Sequence, residues 1–156
     1  MININITKIR LVCAFCLLFG TVGFFSLRLR QAEKEFFVAN DLAKKNKRDE
    51  AGRHYIKASR LAWWEKRYYT YVAINQEIIG RSPNTPHWVR LESLEKSIQS
   101  YQKSLEVVPN DIWPTSGIAR AYKILLHFKP SNQFYQSQAR KYSALADRIC
   151  PSRRFH

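Results

Sequence analysis

Cysteine, glycine and acidic side chains are the scarce components of this 156-residue chain. Of three cysteines, Cys13 and Cys16 lie inside one apolar run and Cys150 stands alone near the end, so no disulfide framework is implied. The Cys-x-x-Cys spacing lacks the further ligands that a metal site needs, and small soft residues are ordinary packing material in an apolar helix. Among five glycines there is no phosphate-cradling loop and no Gly-x-Ser-x-Gly turn. His54, His87, His127 and His156 are scattered, none with a second ligand at metal spacing, and each reads as a packing or surface residue. No catalytic constellation, cofactor or metal is therefore expected. Only 12 acidic residues face 26 Lys and Arg, a formal charge of +14 that directs attention to acidic partners or anionic lipid. Glu92 and Glu95 share a helix face, but Arg90, Lys96 and Gln99 beside them make a solvated surface a better reading than an acid/base pair.

What is abundant is apolar: 46% of residues are hydrophobic and 13% aromatic, which excludes a disordered tail and fits one modest domain. Residues 11–27, LVCAFCLLFGTVGFFSL, carry no charge and lie between Lys8/Arg10 and Arg28/Arg30. That length is near the lower limit for a spanning helix, roughly 17 to 25 residues. A cleaved signal peptide is the competing reading, but Phe24-Phe25-Ser26-Leu27-Arg28 offers no small-x-small cleavage site. An uncleaved single-pass anchor is expected over residues 1–30, with Arg28 and Arg30 placed to meet anionic lipid. By the simple charge rule, the excess of positive charge on the C-terminal side, including Lys34, Lys44, Lys45 and Lys47, is expected to put the domain that follows in the cytoplasm. Short N-terminal tails with two basic residues, like the one bearing Lys8 and Arg10, are also common in anchors of the opposite orientation.

From residue 31 the periodicity is helical throughout, and an all-α fold is expected. Val38, Ala39 and Leu42 mark one helix and Ala51, Tyr55 and Ala58 the next, separated by the polar turn KKNKRD. Small residues flanking a tyrosine let two antiparallel helices approach closely while the ring fills the adjacent space. The same pattern returns as Ser97, Tyr101 and Ser104, and again as Ala139, Tyr142 and Ala146. In the last two, Pro109 and Pro151 follow the second small position by five residues, whereas Trp63 stands where the first unit would place its proline. Thr85-Pro86 should open a helix and Asp111 should cap another.

These residues resemble the tetratricopeptide repeat, a helix–turn–helix unit of about 34 residues. The likeness covers residues 33–151 and implies about three irregular hairpins in an α-solenoid spanning 31–151, followed by a basic tail, 152–156. It departs from the family in its spacing, because the first small positions, Ala51, Ser97 and Ala139, stand 46 and 42 residues apart. Longer connections at RSPNTPHW and FKPSNQ are the expected cause. A narrower likeness links LAWWEKRYYTYVA and LEVVPND to the repeat region that follows the membrane core of bacterial O-antigen ligase and polymerase-like proteins, implying a bacterial envelope setting without that family's catalytic core.

The repeat resemblance implies a protein-binding scaffold, with the ligand groove on the first helix of each hairpin. It places Trp113, Ser116, Arg120, Lys123 and Ile124 on that face in the third unit, and Arg67, Thr70, Ile74 and Ile78 in the second. Trp113, Arg120, Lys123, Arg67 and Ile74 are the residues expected to hold an acidic or C-terminal peptide segment. Charge reversal at Arg120 and Lys123 is expected to spare the fold, because Ile118, Ala119 and Tyr122 claim the opposite side of their helix. Two other readings remain: a small structural subunit buried in a membrane complex, and, less favoured, a nucleic-acid-binding helical protein using the Trp63, Trp64, Tyr68, Tyr69 and Tyr71 cluster with Arg60, Lys66 and Arg67.

Overall fold

Helical periodicity carries through the chain. The computed structural model, which describes residues 6–151 and the side chains of residues 15–151, contains six α-helices and no strand among those residues. They are α1 (Ile6–Lys44), α2 (Arg48–Leu61), α3 (Lys66–Arg81), α4 (His87–Val107), α5 (Ile112–Phe128) and α6 (Gln133–Ile149). Each packs mainly on its neighbours in sequence, so α1/α2, α3/α4 and α5/α6 form three antiparallel hairpins stacked in order. Such stacking gives every hairpin a core that it could not close alone. The side chains of Lys8, Arg10 and Cys13, and the whole tail 152–156, lie outside the described residues.

Local chemistry explains the breaks. Asn46 and Asn110, both at positive φ (60° and 62°), turn the chain between α1 and α2 and between α4 and α5, a conformation that asparagine tolerates better than most residues. Asp111 caps α5 by accepting from the Trp113 amide at 3.0 Å, and Asn132 caps α6 by accepting from the Tyr135 amide at 3.1 Å. Pro86 stands at the start of α4, as Thr85-Pro86 leads one to expect. The two supposed long connections are short, however. Only residues 82–86 and 129–132 are non-helical there, and the extra length of the second unit lies in the 21-residue α4.

The small–tyrosine–small pattern marks the close contacts. Ala51, Ala58, Ser97 and Ser104 are fully buried, with Tyr55 and Tyr101 almost so. In the third unit Ala139 is buried, and Tyr142 stacks on Tyr122 with centroids 6.3 Å apart. Serine in place of alanine has a use at one site: Ser104 Oγ lies 2.9 Å from Thr70 Oγ1, joining α4 to α3. Thr70 thus faces the inside of its hairpin and not the expected groove.

α1 is one unbroken helix of 39 residues, and no helix end falls near residue 30. Its N-terminal part carries the uncharged run, and from Ala32 onward it packs into the first core with Phe36 and Ala39. Among the described residues no helix is long and apolar enough to cross a membrane, so they do not support the spanning helix expected over 11–27. The run is close to the minimum length for a span.

Gly117 provides a test of this packing. A Cβ there would sit 2.4 Å from the Tyr101 ring, which is itself 1% exposed and has no room to retreat. In an open helix Gly→Ala gains about 0.5 to 1 kcal/mol, whereas overpacking a core costs about 1 to 3 kcal/mol. Gly117→Ala should therefore lower unfolding free energy in a denaturant titration. Tyr101→Ala should lower it by about 3 to 5 kcal/mol, the range for a large buried ring.

Candidate partner-binding face

The first helices of the hairpins, α1, α3 and α5, are tied together by repeated contacts between glutamate, arginine and tyrosine. In α3 the Glu77 side chain is only 4% exposed, well inside the fold, yet it is surrounded by donors. Arg120 of α5 donates to it in bidentate fashion, Nε to Oε1 at 2.5 Å and Nη2 to Oε2 at 2.8 Å. Tyr101 of α4 donates its hydroxyl at 3.1 Å, and Arg81 lies 3.7 Å away one turn along α3. One hairpin earlier the arrangement recurs with Glu33 of α1, which accepts from Arg67 and from the Tyr68 hydroxyl, the latter at 3.0 Å. Arg67 also lies over the rings of Phe36 and Tyr68. Two arginines read from the sequence as ligand contacts are thus engaged inside the molecule, each reaching back to the preceding first helix.

The environment shifts these groups in consistent directions. Burial, reinforced by the Glu33 hydrogen bond, pushes the Tyr68 hydroxyl up to about 12. Tyr101 is raised further, first by burial and then by the Glu77 charge. The hydrogen bond to Glu77 leads the causes that hold Arg120 above its ordinary value. All three keep the protonation state that suits the network at neutral pH.

Around this framework α3 exposes Tyr71, Ile74 and Ile78, spaced with Arg67 at intervals of four, three and four along one stripe. On α5 Trp113 is 65% exposed and Lys123 is exposed, while Ser116 and Ile124 are half-buried. Ile118, Ala119 and Tyr122 take the buried side as expected. Lys123 stands three residues from Arg120. Glu77 answers only one of the two guanidiniums beside it, so with Lys123 this part of the face carries an excess of positive charge.

Sequence spacing could not expose the role of Glu77, because residues 43 positions apart form the pair. An isolated glutamate on the Ala73 side of a helix was the available signal. The tryptophan–tyrosine cluster is also resolved into separate duties. Tyr68 is fully buried, and Tyr71 packs edge-on against Phe36 at 4.8 Å. Trp64 meets Phe25 at 4.7 Å, whereas Trp63 is 59% exposed. They form no continuous stacking platform for bases. Glu92 pairs with Lys96 and Glu95 accepts from Tyr135, which joins α4 to α6. Among the described residues no group of three or more His, Cys, Asp or Glu could hold a metal ion.

The expectation that both charge reversals spare the fold needs correcting for Arg120. Reversal there would set a second carboxylate against a buried one. Breaking a fully buried pair costs about 3 to 5 kcal/mol; with 49% of the Arg120 side chain exposed, Arg120→Glu should cost part of that range. Lys123→Glu should leave the denaturation midpoint nearly unchanged, and comparing the two midpoints tests the assignment.

Acid should act elsewhere, at Glu35. Its carboxyl is held below the ordinary 4.5 chiefly by the Lys57 hydrogen bond and next by His54, whose Nδ1 is 2.6 Å away. Folding therefore favours the ionised form. That stabilisation is complete above 4.5 and is lost as the pH falls through the lower folded value. Melting temperature should fall with acidification in this window, and the fall should be shallower in Glu35→Gln.

The chain matches no protein-family model and no curated protein sequence, so a functional reading rests on its own residues and their geometry.

Proposed function

We propose that this chain is a membrane-anchored, tetratricopeptide-like scaffold whose first helices hold an acidic segment of a partner protein. The observation that carries the reading is the combination on α3 and α5 of exposed Ile74, Ile78 and Trp113 with a cationic excess around Lys123. Aliphatic and aromatic groups supply the contact area, and the charges select an acidic segment and speed its approach. Arg67 and Arg120 are supporting residues whose outward edges complete the face. The run 11–27 supplies the anchor, with the repeat domain on the cytoplasmic side of a bacterial envelope membrane.

A second reading has one observation in its favour. Phe37 and Val38 are exposed on α1 just beyond the basic residues that follow the apolar run. An apolar surface there suits a neighbouring subunit, which would make the protein a structural component of a larger membrane complex.

Capture of the detergent-extracted chain by an immobilised acidic peptide separates these readings. Trp113→Ala should weaken capture by about tenfold or more, as expected when an aromatic anchor worth about 2 kcal/mol is removed. Lys123→Glu should weaken it by a few fold, and added salt should weaken the wild-type interaction because exposed charges are screened over about 8 to 10 Å. Equal capture by both folded variants and wild type would reject this face. For the anchor, a chain beginning at residue 31 keeps the core residues Ala32 and Phe36 and should be helical and released from membranes by high salt without detergent; a folded fragment that still requires detergent for release would contradict the reading.

A further inference from the structure

The α2–α3 turn, residues 62–65, differs from the ends of the other two hairpins. Where the second and third units close with Pro109 and Pro151, this one carries Trp63 and Trp64. Trp64 is half-buried against the first core and meets the Phe25 ring edge-on, with centroids 4.7 Å apart. Phe25 is three residues before Arg28, so at 1.5 Å per residue its backbone lies about 4.5 Å from the level where the run gives way to charge, and the turn is in contact with it there. Trp63, packed edge-on against Trp64 at 5.9 Å, is 59% exposed. Phe24 and Leu27 are exposed at the same level, and the Arg28 guanidinium lies over the Phe24 ring at 5.1 Å. Arg60 is exposed one turn before Trp63.

We propose that the Trp63–Trp64 turn is a second membrane contact, inserted into the headgroup region of the bilayer that the α1 run enters, with Arg28 and Arg60 facing anionic lipid. The inference rests on the anchor reading and adds a contact from a different part of the chain. Tryptophan is favoured at a membrane–water interface because its ring is apolar while its N–H remains polar. Neighbouring Lys and Arg gain from the negative surface potential of anionic leaflets. The lipid surface is chosen as the occupant because the turn is continuous in space with the apolar run and fixed at its edge by Phe25. Leading directly into α3, the turn would hold the solenoid close to the bilayer at a second point.

Tryptophan fluorescence can test this in the full chain reconstituted into phosphatidylcholine vesicles with and without phosphatidylglycerol. Trp88 is 68% exposed at the start of α4, the far end of its hairpin from the run, and serves as the internal reference. Phenylalanine replacements leaving only Trp63, or only Trp88, should keep wild-type helicity by circular dichroism. The Trp63 reporter should shift to the blue and be quenched by lipids brominated near the headgroup, with Trp88 unaffected. Phosphatidylglycerol should deepen the Trp63 response, and Arg60→Glu should reduce that increment. Vesicle-bound protein whose Trp63 emission matches that of Trp88 would overturn the second contact while leaving the anchor intact. A folded chain that fails to associate with either vesicle would overturn both.

Discussion

A carboxylate taken out of water must be met by donors, and Glu77 makes that requirement serve the architecture. Its two oxygens receive Arg120 from α5 and Tyr101 from α4, while Glu77 itself belongs to α3. Three helices from two hairpins thus converge on one charge. Apolar packing alone would tolerate small slides between the second and third hairpins, since dispersion and burial are non-directional. A bidentate guanidinium does not, because both hydrogen bonds must be satisfied together. The Tyr101 ring then fills the space that Gly117 leaves open, so the same side chain serves the polar contact and the close approach of α4 and α5.

The repetition of this solution at Glu33 changes how the strong positive charge should be viewed. Arg67 and Arg120 offset internal carboxylates, as Lys66 does for Asp111 and Lys57 for Glu35. Few acids remain to neutralise the exposed cations, Lys123 and Arg60 among them. The overall excess is therefore concentrated outside the hairpin interfaces, where it can act on a ligand or surface without disturbing the fold.

Helix content and the packing positions were legible because both depend on local spacing. Ala51, Tyr55, Ala58, Ser97, Tyr101 and Ser104 all occupy the buried positions that their periodicity suggests. The turn boundaries were less legible: a proline near a loop marks where a helix is weakened, without saying how many residues around it remain helical. The face itself was only partly legible. Trp113 and Lys123 are exposed as expected, but projection on a helical wheel cannot say whether a charge has a partner on another element. Arg120 and Thr70 both have such a partner, Glu77 for the one and Ser104 for the other. The two tryptophans at the first exit were visible as a departure from the repeat pattern, and only the contact with Phe25 gave that departure a location.

The absence of a break in α1 has a mechanical consequence. Residues 28–44 continue the helix by roughly 25 Å beyond the apolar run at 1.5 Å per residue, with no hinge between the run and the first hairpin. A flexible tether would let a scaffold search a hemisphere of positions; a continuous rod permits only what its own tilt and rotation allow. Were the run seated in a bilayer, the rod would act as a fixed-height gauge, holding the face proposed on α3 and α5 at one distance from the lipid and favouring a segment that emerges at that distance over the same segment held nearer or farther away.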